Sequence, residues 1–346
     1  MSAAGSTRIL AARLRNQHLT RPASLSPAAL IAWFGAVQAQ EFGPARWGVG
    51  QRIRGFDDAA VARAFDAGDI VRTHIMRPTW HFVAPEDLRW MQALTAERVR
   101  ASGGSVRRAH GLDARLLSRA HRVIGRTLEG GRFLTRQELR EALARAGIDA
   151  AGQKLAYIVM DAELEALICS GPMRGKQFTY ALADERLPRS ASKDRDEALA
   201  ELARRFFQSH GPATLRDFVW WSGLRMGDAR RAVDVAHLER LPHAGIDYWH
   251  TADALSARPV PSAHLLPIYD EYVNAYRDRG LLFERTPPSA DSLFLHYVIV
   301  DGHYAGTWKP GASPGTIELR ALRRLSRVEQ AAIEAARVRH TAFHHG

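Results

Sequence analysis

Residues 70–83 read IVRTHIMRPTWHFV. Two runs rich in β-branched and aromatic residues, 70–75 and 79–83, flank Met76-Arg77-Pro78, and this predicts a tight β-hairpin. The hairpin is basic, with Arg72, His74, Arg77 and His81. Upstream, Ser26-Pro27 opens a helix in which Leu30, Ile31, Phe34 and Val37 recur at helical spacing, with Gly43-Pro44 as the expected stop. A second helix is expected at 58–66, capped by Asp57 or Asp58. Two helices followed by a basic hairpin form the outline of a winged helix.

The same outline recurs twice. Thr135-Arg136-Gln137-Glu138 is a capping box before a helix at 137–146 that Gly147 ends; a helix at 153–168 follows, then a hairpin at 171–183 with Arg174 and Lys176 near its tip. After a polar linker, RLPRSASKD at 186–194, helices are expected at 196–208, from Ala213-Thr214 to Trp221, and at 227–237, with a short wing at 241–250. SGGS at 102–105 reads as a second flexible point. The remainder is β-rich. Runs at 281–283, 293–300, 304–308 and 316–319 are strand-like, Asp301-Gly302 is a hairpin turn, and a helix at 327–339 closes the chain. The expected fold is α+β, mainly α. Three helical units with wings occupy 1–115, 116–188 and 189–255, and a small β-rich domain occupies 256–346.

Composition narrows the function. With 346 residues, 46% hydrophobic and 25% charged, the chain carries enough apolar sequence for several compact domains. The single cysteine, Cys169, excludes an internal disulfide framework or a cysteine-rich zinc site and fits a reducing, cytoplasmic setting. The first residues lack the apolar core of a secretory signal, and no run of 18 apolar residues occurs, so neither export nor a membrane partner is expected. The net charge is +11 and the pI about 10.3, the electrostatic footprint of a nucleic-acid binder. Only four of the 48 basic residues are lysines, a bias that GC-rich coding explains better than function does; the net charge is not explained that way. Winged helices serve as DNA-binding or protein-interaction modules, and the charge favours duplex DNA. No GxGxxG, P-loop or HExxH motif is present, and no cofactor is expected.

Several separated stretches together resemble the bacterial winged-helix DNA glycosylase superfamily typified by AlkZ. They are Val37-Gln38-Ala39-Gln40, the run from Arg72 through His81, LLPIYDEY at 265–272, YRDR at 276–279, Val300-Asp301-Gly302, and Gly306-Thr307-Trp308. The resemblance implies three tandem winged helices and a C-terminal β-barrel-like domain, forming a C around DNA. It implies excision of alkylated purines, in some members bulky N7 adducts or crosslinks. The superfamily's catalytic pair of glutamines around one aliphatic residue falls on Gln38 and Gln40, with Ala39 between. Another branch carries Asp at the second position; Gln40 places this chain with the first.

The chemistry is consistent with that implication. A purine alkylated at N7 is already cationic and leaves without prior protonation, so the enzyme must hold a water and stabilise an oxocarbenium-like sugar with preoriented dipoles. A glutamine carbonyl serves both purposes, although it is too weak to be a true base. No lysine lies near the motif, which favours direct hydrolysis by a monofunctional enzyme over a Schiff base. Residues two apart share a face only on an extended backbone, so the helix from Pro27 is expected to end near 37–40, with both amides opening on a basic cleft beside the hairpin.

The expected DNA-contacting residues are Arg46, Trp47, Arg72, His74, Arg77, Thr79, Trp80, His81, Arg174 and Lys176. Met76 and Trp80 are candidate apolar wedges, although Trp80 and His81 suit a core beneath the wing equally well. Asp270, Glu271 and Asp278, near Arg277 and Arg279, suggest internal salt bridges. His340, His344 and His345 read as a solvated tail. The chain is expected to act as a monomer without an obligate protein partner. The alternatives are a non-catalytic DNA-binding protein or regulator, in which the Gln pair is a polar helix end, and a protein-interaction scaffold.

Overall fold

The computed structural model describes residues 3–252, 260–287, 295–313 and 316–345. Helices alternate with small antiparallel sheets, an α+β architecture. The first helix, Ala3–Asn16, has no counterpart in the sequence reading. Its Ile9, Leu10 and Leu14 are buried against Tyr248, Leu281, Leu266 and Tyr272, so it clasps the distal half of the chain.

Ser26 caps the helix Pro27–Phe34, and Gly35 ends it at φ 81°, a backbone conformation that glycine adopts without strain. Strand β1 (Ala36–Gln38) follows directly. The stop is therefore Gly35. Gly43-Pro44 does not stop a helix: it lies in the first turn of another, Phe42–Gly50, where a proline's missing N–H would have had no intrahelical partner. The next helix, Asp58–Ala67, is capped by Asp57, whose side chain accepts from the Ala60 N–H at 2.6 Å.

Strands β2 (Val71–Ile75) and β3 (Arg77–Val83) form the hairpin, and the sheet order is β1-β3-β2. The hairpin does not project as a wing tip. Met76 turns the chain at φ 60°, is 2% exposed, and donates its N–H to Thr95 Oγ1 on the helix Leu88–Ser102. Met76 is thus core, not a wedge for DNA. Helix Gly104–Ala109 begins almost at once, so 102–105 is a helical junction rather than a flexible point.

The second unit contains helices Ala114–Leu128, Arg136–Arg145 and Gly152–Leu164 with strands β4 (Leu134–Thr135), β5 (Ile168–Ser170) and β6 (Thr179–Leu182). The Thr135 capping box forms as read, and Leu117, Ile124, Leu139, Ile158 and Val159 make a separate core. The third unit contains helices Arg195–Ser209, Leu215–Ser222 and Met226–Val235 and the hairpin β7 (Glu239–His243) with β8 (Ile246–His250). The expected boundary at 255/256 lies outside the described residues.

Strands β9 (Ala263–Leu266), β10 (His296–Val300), β11 (His303–Pro310) and β12 (Ile317–Ala321) form a sheet ordered β12-β11-β10-β9. Among the described residues this sheet is open rather than barrel-like. The run 281–283 belongs to a short helix, Gly280–Phe283, and the start of the expected strand, Leu293 and Phe294, lies outside the described residues. The final helix, Arg327–His345, is no solvated tail: His340 is 4% exposed and packs edge-on against Trp47 and Trp308.

The first unit is the hub. Val71, Ile75, Met76 and Val83 share one core with Leu202, Phe206, Phe218 and Trp221 of the third unit. Leu30, Phe34 and Trp47 share another with Val298, Trp308 and Phe343 of the C-terminal region. No helix among the described residues is long and apolar enough to cross a membrane.

Candidate active site

The register of the central sheet sorts the nominated residues. β1 pairs antiparallel with β3, Gln38 opposite His81, and the Ala39 N–H continues the ladder to the Trp80 carbonyl at 2.8 Å. β2 pairs with β3, Thr73 opposite His81 and His74 opposite Trp80. Side chains alternate along a strand, so one face carries Gln38, Thr73, Thr79 and His81, and the other Arg72, His74 and Trp80; β1 ends at Gln38, and Gln40 lies in the bend that follows. Arg77 joins the glutamine face through its contacts.

On the glutamine face, Arg77 Nη2 donates to Gln38 Oε1 and to His81 Nε2, both at 3.2 Å. His81 is fully buried, and burial together with the adjacent Arg77 charge lowers its pKa to about 3, so it is neutral. Its Nδ1–H donates to the Thr79 carbonyl at 2.9 Å, which leaves Nε2 to accept from Arg77. His81 therefore orients Arg77, and no proton of its ring is directed at a phosphate. Gln40 Oε1 accepts the Trp80 backbone N–H at 3.3 Å. Each glutamine oxygen faces a group that can only donate, so the amide orientations are fixed and each oxygen retains a second lone pair. The Thr73 and Thr79 hydroxyls and the Arg77 Nε–H are buried here without a protein hydrogen-bond partner. Buried polar groups normally have one, so these three groups are polar capacity that the protein's own hydrogen bonds leave unused.

The opposite face braces the motif. The Arg72 guanidinium lies between the rings of Trp80, 4.3 Å away, and Phe178, 4.4 Å away. It donates to the carbonyls of Ala39 at 2.9 Å and Gln40 at 3.2 Å. Burial lowers its pKa to about 10, so it stays cationic at neutral pH. His74 is buried against the Glu163 carboxylate. The expectation that Arg72 and His74 meet DNA phosphates is thus corrected, since both are engaged inside the protein.

The remaining candidates scatter. Trp47 is 3% exposed and donates its indole N–H to the Leu265 carbonyl at 2.7 Å; it is a core residue, not a cleft wall. Arg46 is half-buried and paired with Asp58 at 3.2 Å. Arg174 and Lys176 are exposed on the second unit's hairpin, with Arg174 paired to Glu138 at 2.8 Å. Thr79 and Trp80 are half-buried beside the motif.

The sequence reading missed Glu271. Asp270 does form an internal salt bridge, with both oxygens on Arg52 at 2.7 and 2.8 Å. Its neighbour instead reaches the motif: Glu271 Oε1 accepts the Gln38 backbone N–H at 2.7 Å. Glu271 Oε2 accepts from Trp221 Nε1 at 3.0 Å and from His210 Nε2 at 3.1 Å. Burial alone would raise this carboxyl, but the His210 hydrogen bond and charge, Arg77 and the Gln38 N–H together hold it near 2. The sequence signal was the LLPIYDEY stretch itself, whose partner lies 233 residues away.

The chain is 24% identical over 333 residues to an interstrand DNA cross-link repair glycosylase of Streptomyces sahachiroi, covering 87% of this chain and 86% of that protein. Its fold matches the solved structure of the DNA glycosylase AlkZ of Streptomyces sahachiroi with a TM-score of 0.82, at 20% identity, covering 99% and 98% of the two chains. Residues 31–343 match the family model of AlkZ-like DNA glycosylases, and the chain therefore belongs to that family.

Proposed function

We propose that this chain hydrolyses the N-glycosidic bond of N7-alkylated purines in duplex DNA, with Gln38 and Gln40 as the catalytic residues. The observation that carries the reading is the strand that ends at Gln38 together with the hydrogen bonds that hold both glutamine oxygens beside the hairpin, Gln38 Oε1 accepting from Arg77 and Gln40 Oε1 from the Trp80 N–H. A water here donates its hydrogens to the free lone pairs of the two oxygens. The water oxygen attacks C1′ as the C1′–N9 bond breaks, the bond's electron pair neutralises the cationic purine, and the water proton passes to solvent. The glutamine oxygens also present negative dipole ends to the oxocarbenium-like sugar, a stabilisation that needs no reorganisation during the reaction. The Streptomyces sahachiroi relative's name, an interstrand DNA cross-link repair glycosylase, supports crosslinks as substrates.

In this reading the helix-and-hairpin units bind the duplex as winged helices, the first without its hairpin turn, which is buried in the fold, and the protein works as a monofunctional monomer in the cytoplasm. Thr79, Trp80, Arg174 and Lys176 keep exposed surface for DNA, while Arg72, Arg77 and His81 set the motif's geometry. The test is release of abasic sites from duplexes carrying N7-methylguanine, a bulky N7 adduct or a crosslink. Gln38→Ala and Gln40→Ala are each expected to slow excision roughly 10²-fold, the scale of losing one preoriented dipole, with duplex affinity retained. A double variant excising at the wild-type rate removes the pair from the mechanism and favours a non-catalytic DNA-binding protein.

A further inference from the structure

Glu271 is 2% exposed, and its hydrogen-bonding side chains come from the third unit, yet its shortest contact is to the catalytic strand. No arginine or lysine forms an ion pair with it among the described residues, so neutral dipoles and His210 hold its charge. The Arg77 guanidinium, on the motif side, is one of the charges that favour its ionised form. Arg77 in turn grips Gln38 Oε1. Gln38 is therefore held at both ends: its backbone N–H by the carboxylate, its side-chain oxygen by the cation that carboxylate attracts. A buried carboxylate that accepts three donors is costly to misplace, which makes the grip stiff.

We infer that Glu271 is a positioning residue for Gln38, fixing the aim of the catalytic amide from the C-terminal part of the chain. This inference rests on the glycosylase reading and assigns a role to a residue that does not touch substrate. It also gives the interface between the first and third units a catalytic consequence, because Trp221 and His210 complete the carboxylate's shell.

The experiment combines single-turnover excision, duplex affinity and ¹⁵N NMR of the full chain. Glu271→Gln is expected to slow excision roughly 10²-fold, the cost of a misdirected reacting group, with duplex Kd unchanged. Combined with Gln38→Ala it is expected to add nothing further, since both changes disable the same amide. Glu271→Asp keeps the charge but withdraws the oxygen from the Gln38 N–H, and it too is expected to lose excision. If Glu271→Gln does not fold, the Asp variant carries the test. Full activity in Glu271→Asp, or a double variant slower than Gln38→Ala by the whole Glu271→Gln factor, overturns the inference. NMR separates this from failure of the glycosylase reading. If wild-type protein excises nothing, the Gln38 backbone and side-chain amide resonances still report positioning: a shift in either Glu271 variant supports it, and unmoved resonances refute it.

Discussion

Arg72→Gln tests the central claim about the hairpin, that its arginine serves the motif rather than DNA. The side chain shortens, loses its charge and keeps one donor. Of the two hydrogen bonds to the Ala39 and Gln40 carbonyls at 2.9 and 3.2 Å, at least one is lost. A charge-assisted bond contributes about 1.5–3 kcal/mol. The guanidinium also leaves the slot between Trp80 and Phe178, where two partly desolvated cation–π contacts contribute about 0.5–1 kcal/mol each or more. The sum is about 2.5–5 kcal/mol. For 346 residues the unfolding entropy is about 0.7 kcal/mol/K, so Tm should fall by roughly 3–7 °C. Excision should drop, because the freed Gln40 backbone no longer fixes its amide. The slope of log affinity against log salt should not change, because a buried cation releases no DNA counterion. Calorimetry and a salt titration of duplex binding read both quantities. The opposite pattern, an unchanged Tm with a slope shallower by about 0.9, is the signature of one lost phosphate contact and would refute the assignment.

Three further outcomes are expected. Acidification should destabilise the protein from about pH 6.5 downward. His81 and His264 have folded pKa values depressed to about 3 and His296 to about 4, so the unfolded chain binds more protons below the ordinary histidine value of 6.5, and stability is lost as pH falls through that window. Glu271, depressed from 4.5 to about 2, adds a loss at the acid end; a Tm flat between pH 7 and 5 would contradict the neutral burial of these histidines. Gly223→Ala should destabilise strongly, because φ is 71° and a Cβ would stand 2.2 Å from the Met76 carbonyl oxygen; a variant as stable as wild type would mean that the third unit does not seat on the hairpin turn. Trp47→Ala should cost about 3–5 kcal/mol, as for other buried aromatics, and leave the salt slope of DNA binding unchanged; a lost slope with intact stability would return Trp47 to the DNA surface.

Features written in short-range chemistry were legible in the sequence. The hairpin follows from alternating β-branched residues, and the capping box at Thr135 marks where a helix starts. Of the Gln-x-Gln motif only Gln38 lies on the extended strand, and Gln40 follows in a bend, so the demand that two amides share a face was met by the backbone only in part. The stop before it was misplaced because a proline after a glycine reads the same whether it ends one helix or begins the next. The fate of the basic residues was not legible. Arg72 and Arg174 look alike in a sequence, but one is enclosed by Trp80, Phe178 and two carbonyls while the other is exposed.

The sequence by itself determined the local elements and the net positive charge, since each depends on neighbouring residues or on composition alone. Only the tertiary structure decided which face of the sheet each side chain occupies, that the hairpin turn is buried beneath Gly223, and that Glu271 meets Gln38 across 233 residues. Those outcomes depend on which apolar surfaces of distant segments bury one another, and burial decides whether a charge is left for DNA or consumed within the fold.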